Sequence, residues 1–375
     1  MQTHGPRPWR MAALIAATLT GSAAAQEAFT SSEKCGACHR DIHRGWQASI
    51  HAHALDDPVF QQALQTAGPE LGGPGRQLCL ACHAPLAAVT GDRDLKNHLT
   101  WEGVTCDFCH SIAEVTLGDP RTAYRLIPGA VERGPIPNAG TEGHGVAFSP
   151  LFGDALLCAG CHEFRPATGA PVLTTYSEWQ NSPYAAEGVT CQSCHMGLAR
   201  ADVVDPKVKR MAASVVNLHE MPGGHSLDQL LSALRVNVET ERTADSLVVR
   251  VVLTNVGAGH AMPTGFPSRH VVLEARVTTP SGELAGERVY ARTILDAAGR
   301  PIVRDDEVMR TPSTTVQDTR LAPRETRTER LSFPVPGAVS ASVTVRLRYL
   351  HAPLGAGAPT TDQVFYSERR FLRGK

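Results

Sequence analysis

All ten cysteines fall into five copies of one spacing: Cys35-Gly-Ala-Cys38-His39, Cys79-Leu-Ala-Cys82-His83, Cys106-Asp-Phe-Cys109-His110, Cys158-Ala-Gly-Cys161-His162 and Cys191-Gln-Ser-Cys194-His195. Two thiols three residues apart, followed at once by an imidazole, form the attachment signal for c-type haem: the sulfurs bond the porphyrin edge and the histidine reaches the iron as proximal ligand. The spacing has a mechanical reason. One helical turn sets the two sulfurs near the two vinyl groups, and the next residue projects its ring toward the metal. Zinc would consume the pairs two at a time, leaving one over, and would not require a histidine after each second cysteine. Disulfides within each pair would place no demand on that histidine either. With histidine at 16 of 375 positions, five such placements are not a matter of chance. The expectation is five covalently held c-type haems, each with its iron.

An iron that only transfers electrons needs a sixth ligand, and histidine keeps its potential low where methionine raises it. Beyond His4 and the proximal five, ten histidines remain. One of His51 and His53, which follow a Trp and a Ser, is expected to serve, with His51 preferred. His144 lies in a Gly-rich loop, where backbone can approach a macrocycle closely. His219 and His225 flank Pro222-Gly223-Gly224, and His260 sits in Asn255-Val-Gly-Ala-Gly-His260-Ala-Met-Pro263-Thr-Gly265, a loop with no evident folding need for it. His51, His144, His219, His225 and His260 are therefore the distal candidates. His43, His98, His270 and His351 read as surface or structural residues, and Met221 and Met262 as weaker axial candidates.

The elements that must position these groups fall into two regions. Between Cys35 and His195, five large cofactors would share about 160 residues, leaving no room for a conventional side-chain core; short helices and irregular loops are expected, with turns at Gly72-Gly73-Pro74-Gly75 and Pro135-Ile136-Pro137. Aromatic residues make up only 5% of the chain, so porphyrin must fill part of the interior. After the fifth motif, Ser226-Leu-Asp-Gln229 reads as a capping box opening a helix to about Leu234. From there period-2 alternation takes over, with strands expected at 246–254, 270–277, 328–335 and 342–349. The fold class expected is mixed: an irregular, mainly α multihaem domain over 26–234, then a small antiparallel Ig-like β-sandwich over 235–375.

Residues 1–25 read as an export signal: Arg7 and Arg10, then an apolar stretch from Met11 to Gly21, then Ala23-Ala24-Ala25. That stretch is too short to span a bilayer, and no later segment is long enough. The product is expected to be soluble and periplasmic or otherwise exported, with 34 basic against 37 acidic residues and no integral membrane span after cleavage. No run of Lys or Arg gathers into a stripe for phosphates, which excludes nucleic acid as a partner.

An internal repeat runs through the haem region. Leu78 with the second motif, then Glu102-Gly103-Val104-Thr105 with the third, matches Leu157 with the fourth and Glu187-Gly188-Val189-Thr190 with the fifth. A second echo sets Trp46-Gln-Ala-Ser49-Ile-His51-Ala52 against Trp179-Gln-Asn-Ser182-Pro-Tyr184-Ala185, so that Tyr184 stands where its repeat partner has His51.

These segments, with Gly188-Val189-Thr190-Cys191-Gln192-x-Cys194-His195-Met196, the 219–225 segment and Gly259-His260-x-x-Pro263-Thr264-Gly265, resemble the multihaem cytochrome c family that includes the tetrahaem electron carrier of ammonia oxidisers. The resemblance covers roughly residues 33 to 270. It implies bis-histidine haems in close-packed pairs, and His51, His144, His219, His225 and His260 as their distal ligands; a fifth motif and the sheet-rich tail set this chain apart from the carrier.

The function expected is electron transfer through mostly bis-histidine haems, between redox partners such as other cytochromes or a quinol-oxidising membrane cytochrome. The alternative is an oxidoreductase acting on a small nitrogen or sulfur compound at one five-coordinate iron, motivated by Tyr184, whose plainer role is packing. In a third reading the sheet domain docks the cytochrome into a larger assembly. An electron carrier is the expectation over an enzyme.

Overall fold

The computed structural model describes residues 28–118, 123–139, 143–209, 214–356 and 360–374. The expected export signal and His4 lie outside the described residues.

The region before residue 234 has no continuous side-chain core. Its buried apolar residues gather in small clusters around Phe108 and Ile112, around Leu55 and Leu80, and around Ala155 and Tyr176, with open space between them. The cysteine motifs take the single helical turn that their spacing asks for: Cys106–His110 and Cys191–His195 are helices in their own right, and the second and fourth motifs end the helices Pro58–His83 and Leu156–His162. In the first motif, Cys35 closes the helix Ser32–Gly36 and His39 caps Arg40–Gln47.

Two local expectations are corrected. The Gly72–Gly75 turn is instead a break inside a 26-residue helical segment, at Gly72 with φ of +66°, which glycine adopts without strain. Nor is the region between motifs merely irregular: Val131–Gly134 pairs in parallel with Gly145–Phe148, and Leu198–Ala201 pairs antiparallel with Ser214–Asn217.

The repeat is visible in hydrogen bonds. Trp46 Nε1 donates to Val104 O at 2.8 Å, and Trp179 Nε1 donates to Val189 O at 2.8 Å. Val104 N donates to His51 O, and Val189 N to Tyr184 O, at 2.8 and 2.9 Å. Gly103 and Gly188, which precede these valines, both have positive φ. At Gly103 a Cβ would lie 2.4 Å from His51 O, so the glycine is required by the close approach of the two segments.

Besides a two-stranded antiparallel pair, Arg292–Leu295 with Thr315–Asp318, the chain from residue 234 onward builds two larger antiparallel sheets. In one, Leu247–Asn255 is central between Leu234–Arg242 and Thr326–Phe333; in the other, Gly282–Tyr290, Arg269–Thr279, Ala341–His351 and Thr361–Leu372 lie in that order. Val249, Val251 and Leu253 of the first sheet share one apolar core with Leu273, Val345 and Leu347 of the second, so the sheets face each other. Ser226 caps the helix Leu227–Ala233, accepting from Gln229 N, and this helix leads into the first strand. The four expected strands are present with shifted ends, and Leu234–Arg242, Gly282–Tyr290 and Thr361–Leu372 are added to them. Mixed helix and antiparallel sheet is the observed fold class.

Candidate haem-binding site

One connected cavity of about 1970 Å³ runs through the helical region, lined by all ten motif cysteines and all five motif histidines. Ligand pockets are ordinarily about 300–1,000 Å³, so this space suits something far larger than one small molecule.

Four of the five motif histidines are aimed by backbone. His39 Nδ1 bonds Val203 O at 2.6 Å, His83 Nδ1 bonds Ala54 O at 2.9 Å, His110 Nδ1 bonds Arg133 O at 2.5 Å and His195 Nδ1 bonds Pro222 O at 2.6 Å. A carbonyl oxygen can only accept, so Nδ1 carries the proton and Nε2 keeps its lone pair for a metal. Arg133 belongs to the short strand Val131–Gly134, which is why that parallel pairing matters to the site.

Four of the distal candidates face motif histidines across the cavity. Ring centroids are 6.0 Å apart for His39 and His144, 6.2 Å for His162 and His51, 6.4 Å for His110 and His219, and 6.2 Å for His195 and His260. Allowing for the ring radii, such spacing leaves about 4 Å between facing nitrogens, room for one metal ion at ordinary metal–imidazole distances of about 2 Å. The far rings are aimed in the same way: His144 Nδ1 bonds Gly145 O, His219 Nδ1 bonds Asn217 O and His260 Nδ1 bonds Ala261 O, at 2.9, 2.9 and 3.0 Å. His51 Nδ1 is buried without a partner. His53 uses both nitrogens elsewhere, on Asp56 and Gln47 O, at the surface.

Removal from solvent favours the neutral form, which a ligand must have, at six of these imidazoles. It lowers His51 and His219 to about 4 and His162 to about 3, with neighbouring imidazoles adding to the effect, and it lowers His83, His110 and His260 as well. The His162 ring is open to the cavity, yet protein surrounds that space.

His83 differs from the other four. Phe60 stacks on its ring at 3.8 Å, and among the described residues no imidazole faces it at the six-ångström spacing. His225 is exposed and lines the same cavity without a facing ring. His351 also lines it, and burial, then Arg269, His270 and His83, lower its pKa to about 3. Nothing in the linear sequence marked His351, because only strand pairing sets Arg269 opposite it. His43 is likewise on the cavity wall, with Nε2 buried and unpartnered, whereas His98 is exposed.

The sheet region reaches into this site through the loop carrying His260. Glu178, on the helix Thr175–Gln180, accepts at Oε2 from Ala261 N at 3.1 Å and from the Thr264 hydroxyl at 2.7 Å. Its Oε1 takes the Thr174 hydroxyl at 2.7 Å and Arg320 at 2.8 Å, with Arg292 at 3.6 Å. Burial opposes the charge, but Arg320, the two hydroxyls and Arg292 outweigh it and hold the carboxyl below its ordinary range. Tyr184 donates to Val256 O at 2.5 Å, and Arg324 lies over its ring while pairing with Glu187. Tyr184 is therefore a joint between the two regions.

The residues fit iron porphyrin: thiol pairs on the wall of one large cavity, imidazoles with free Nε2 lone pairs, and second imidazoles facing four of them. Comparison with known proteins agrees. The family described as cytochrome c554 and c-prime matches residues 34–111. Cytochrome c-554 of Nitrosomonas europaea is 27% identical over 170 residues, 42% of this chain and 69% of that protein. These matches support a likeness to the multihaem c-type cytochromes. The chain's fold is that of a penta-heme cytochrome c552 from Thermochromatium tepidum, with a TM-score of 0.71 and 24% identity, over 92% of this chain and 99% of that one. No described helix is long and apolar enough to cross a membrane.

Proposed function

We propose that this chain is an exported, periplasmic electron carrier holding five c-type haems, attached at Cys35 and Cys38, Cys79 and Cys82, Cys106 and Cys109, Cys158 and Cys161, and Cys191 and Cys194. His39, His83, His110, His162 and His195 serve as proximal ligands, and His144, His219, His51 and His260 as distal ligands to His39, His110, His162 and His195 respectively. Bound haem supplies a one-electron iron couple, and ligation by two histidines keeps its potential low. The chain's own work is to aim seven of these nine imidazoles through Nδ1 hydrogen bonds, His51 and His162 being the exceptions, to exclude water and to leave most irons no open face. We read the facing sheets over 235–375 as an Ig-like sandwich, residues 26–234 as the haem domain and residues 1–25 as a cleaved signal. Redox partners are other cytochromes or a quinol-oxidising membrane cytochrome.

The facing imidazole pairs carry this reading, since electron transfer needs saturated irons and no acid, base or substrate pocket. His225 is the remaining distal candidate for His83. If it does not reach that iron, the site is five-coordinate, which is what the alternative of an oxidoreductase for a small nitrogen or sulfur compound requires; the place for it is then His83, because the Tyr184 hydroxyl is engaged with Val256. Intact mass should give polypeptide plus five haems. Electron paramagnetic resonance of the oxidised protein should show low-spin signals for at least four irons, and a mass of bare polypeptide would overturn the reading.

A further inference from the structure

The hydrogen bonds on the loop that carries His260 fall into those made within the sheet region and those made to the helical region, and they do different things. Asn255 sets its shape from within: Nδ2 donates to His260 O at 3.0 Å and to Leu321 O at 3.1 Å, and Oδ1 accepts from Ala258 N at 3.1 Å. All of these partners belong to the sheet region and travel with the loop. Where the loop stands relative to His195 is a separate matter, decided by contacts with the helical region. The loop is pressed close there, since a Cβ on Gly259 would lie 3.2 Å from Trp179 and 3.3 Å from Tyr184. Packing of this kind sets a distance but not a direction. Tyr184 fixes the start of the loop at Val256 O and the Thr175 hydroxyl meets that of Thr264 at 3.0 Å, but the segment next to His260 takes its direction from the Glu178 carboxylate, which accepts the Ala261 N–H and the Thr264 hydroxyl on one oxygen.

We propose that Glu178 is the positioning residue for His260, holding the 256–265 loop so that the imidazole faces His195 and saturates the iron between them. This rests on the reading of His260 as a ligand. The second carboxylate oxygen reinforces the arrangement. Arg320 and Arg292, both buried, donate to the loop carbonyls of Pro263 and Gly265 at 3.3 and 3.0 Å, and the negative charge between them lets two guanidiniums sit together at the joint.

The substitution Glu178→Gln separates these roles. The side-chain oxygen is claimed by Arg320 and the Thr174 hydroxyl, so the amide NH₂ falls opposite the Ala261 N–H, donor against donor. The holoprotein of E178Q should keep five haems by intact mass but gain one high-spin ferric signal and bind one more equivalent of carbon monoxide when reduced than the parent does. Added imidazole should return the spectrum to low spin. H260A should match E178Q, whereas Y184F, which breaks a different bond at the same joint, should stay low spin. A high-spin signal in H260A with none in E178Q would overturn the positioning role and leave the ligand reading standing. No spectral change in H260A would remove the ligand reading and this inference with it. The same high-spin signal in Y184F would show that loosening the joint suffices and would also overturn it. Should E178Q fail to mature with its haems, Thr264→Val, which removes one of the two bonds, reads the same signal.

Discussion

Tyr184 holds the backbone position in the second repeat that His51 holds in the first, each carbonyl accepting from the valine that follows a positive-φ glycine. The side chains differ in use. His51 faces His162 across the cavity, while the Tyr184 hydroxyl reaches Val256 on the loop that brings His260 to His195. The second repeat thus ties down the segment that carries its imidazole instead of supplying one.

Tyr184→Phe should therefore weaken the joint and nothing else. The lost bond leaves the Val256 carbonyl short of a donor, a cost of about 1–3 kcal/mol, read as a lower midpoint in chemical denaturation. Haem spectra should be unchanged. A new high-spin signal would mean that the Tyr184–Val256 bond itself helps to hold His260 opposite His195.

His51→Ala and His53→Ala should separate sharply. On the proposed coordination H51A would open the iron at His162 and should produce one high-spin signal at full haem content. H53A removes a surface ring whose two nitrogens are already engaged, and should leave the spectrum as it was. The opposite pattern in the two spectra would reverse the assignment.

Gly103 and Gly188 share a backbone conformation but not a neighbourhood. Gly188→Ala meets no atom within 4 Å and should cost only the left-handed penalty of about 1–2 kcal/mol. Gly103→Ala adds a collision with the His51 carbonyl and should cost clearly more, with the low-spin signal of the His51 iron disturbed. Equal thermal shifts in the two variants would show that the close approach does not matter.

Glu132 predicts a pH effect. It lines the cavity near Cys35 with Oε2 buried and unpartnered, and burial followed by the Asp107 charge, against Arg133, raises its carboxyl to about 7. An electron arriving nearby favours the protonated form, so reduction takes up a proton and the potential falls as pH rises through 7. The slope is at most about 59 mV per pH unit for one electron and one proton. Redox titrations at pH 6, 7 and 8 should show this fall in the parent and a flatter response in E132Q; an unchanged slope in E132Q removes Glu132 as its source.

Which parts were legible in the sequence follows from what each part depends on. The cysteine motifs were legible because attachment chemistry needs residues that are adjacent in the chain. His351 and Arg269 were not, because they become neighbours only when two strands 82 residues apart pair. Among strands, the central Leu247–Asn255, Arg269–Thr279 and Ala341–His351 announced themselves by alternation. Those that went unread, Leu234–Arg242, Gly282–Tyr290, Thr361–Leu372 and the small pair Arg292–Leu295 and Thr315–Asp318, all lie at sheet edges, where Thr326–Phe333 alone was read. An edge strand buries less and carries more charge; in Thr361–Leu372 only Phe365 is buried, in a strand that holds Asp362, Glu368, Arg369 and Arg370. The glycines at 72–75 were read as a turn because glycine punctuates either case, and only the flanking helical geometry distinguishes a break from an end.

The His260 loop has a consequence for how the molecule is made. On the coordination proposed above, the ring that completes the His195 iron emerges from the ribosome 65 residues after that histidine and is held in place by a sheet whose last strand closes near the C-terminus. A polypeptide cut short could still acquire every porphyrin and yet betray itself by colour and magnetism, since its final iron would lack a partner. The absorption spectrum would then report whether the sheets had closed against the helical region.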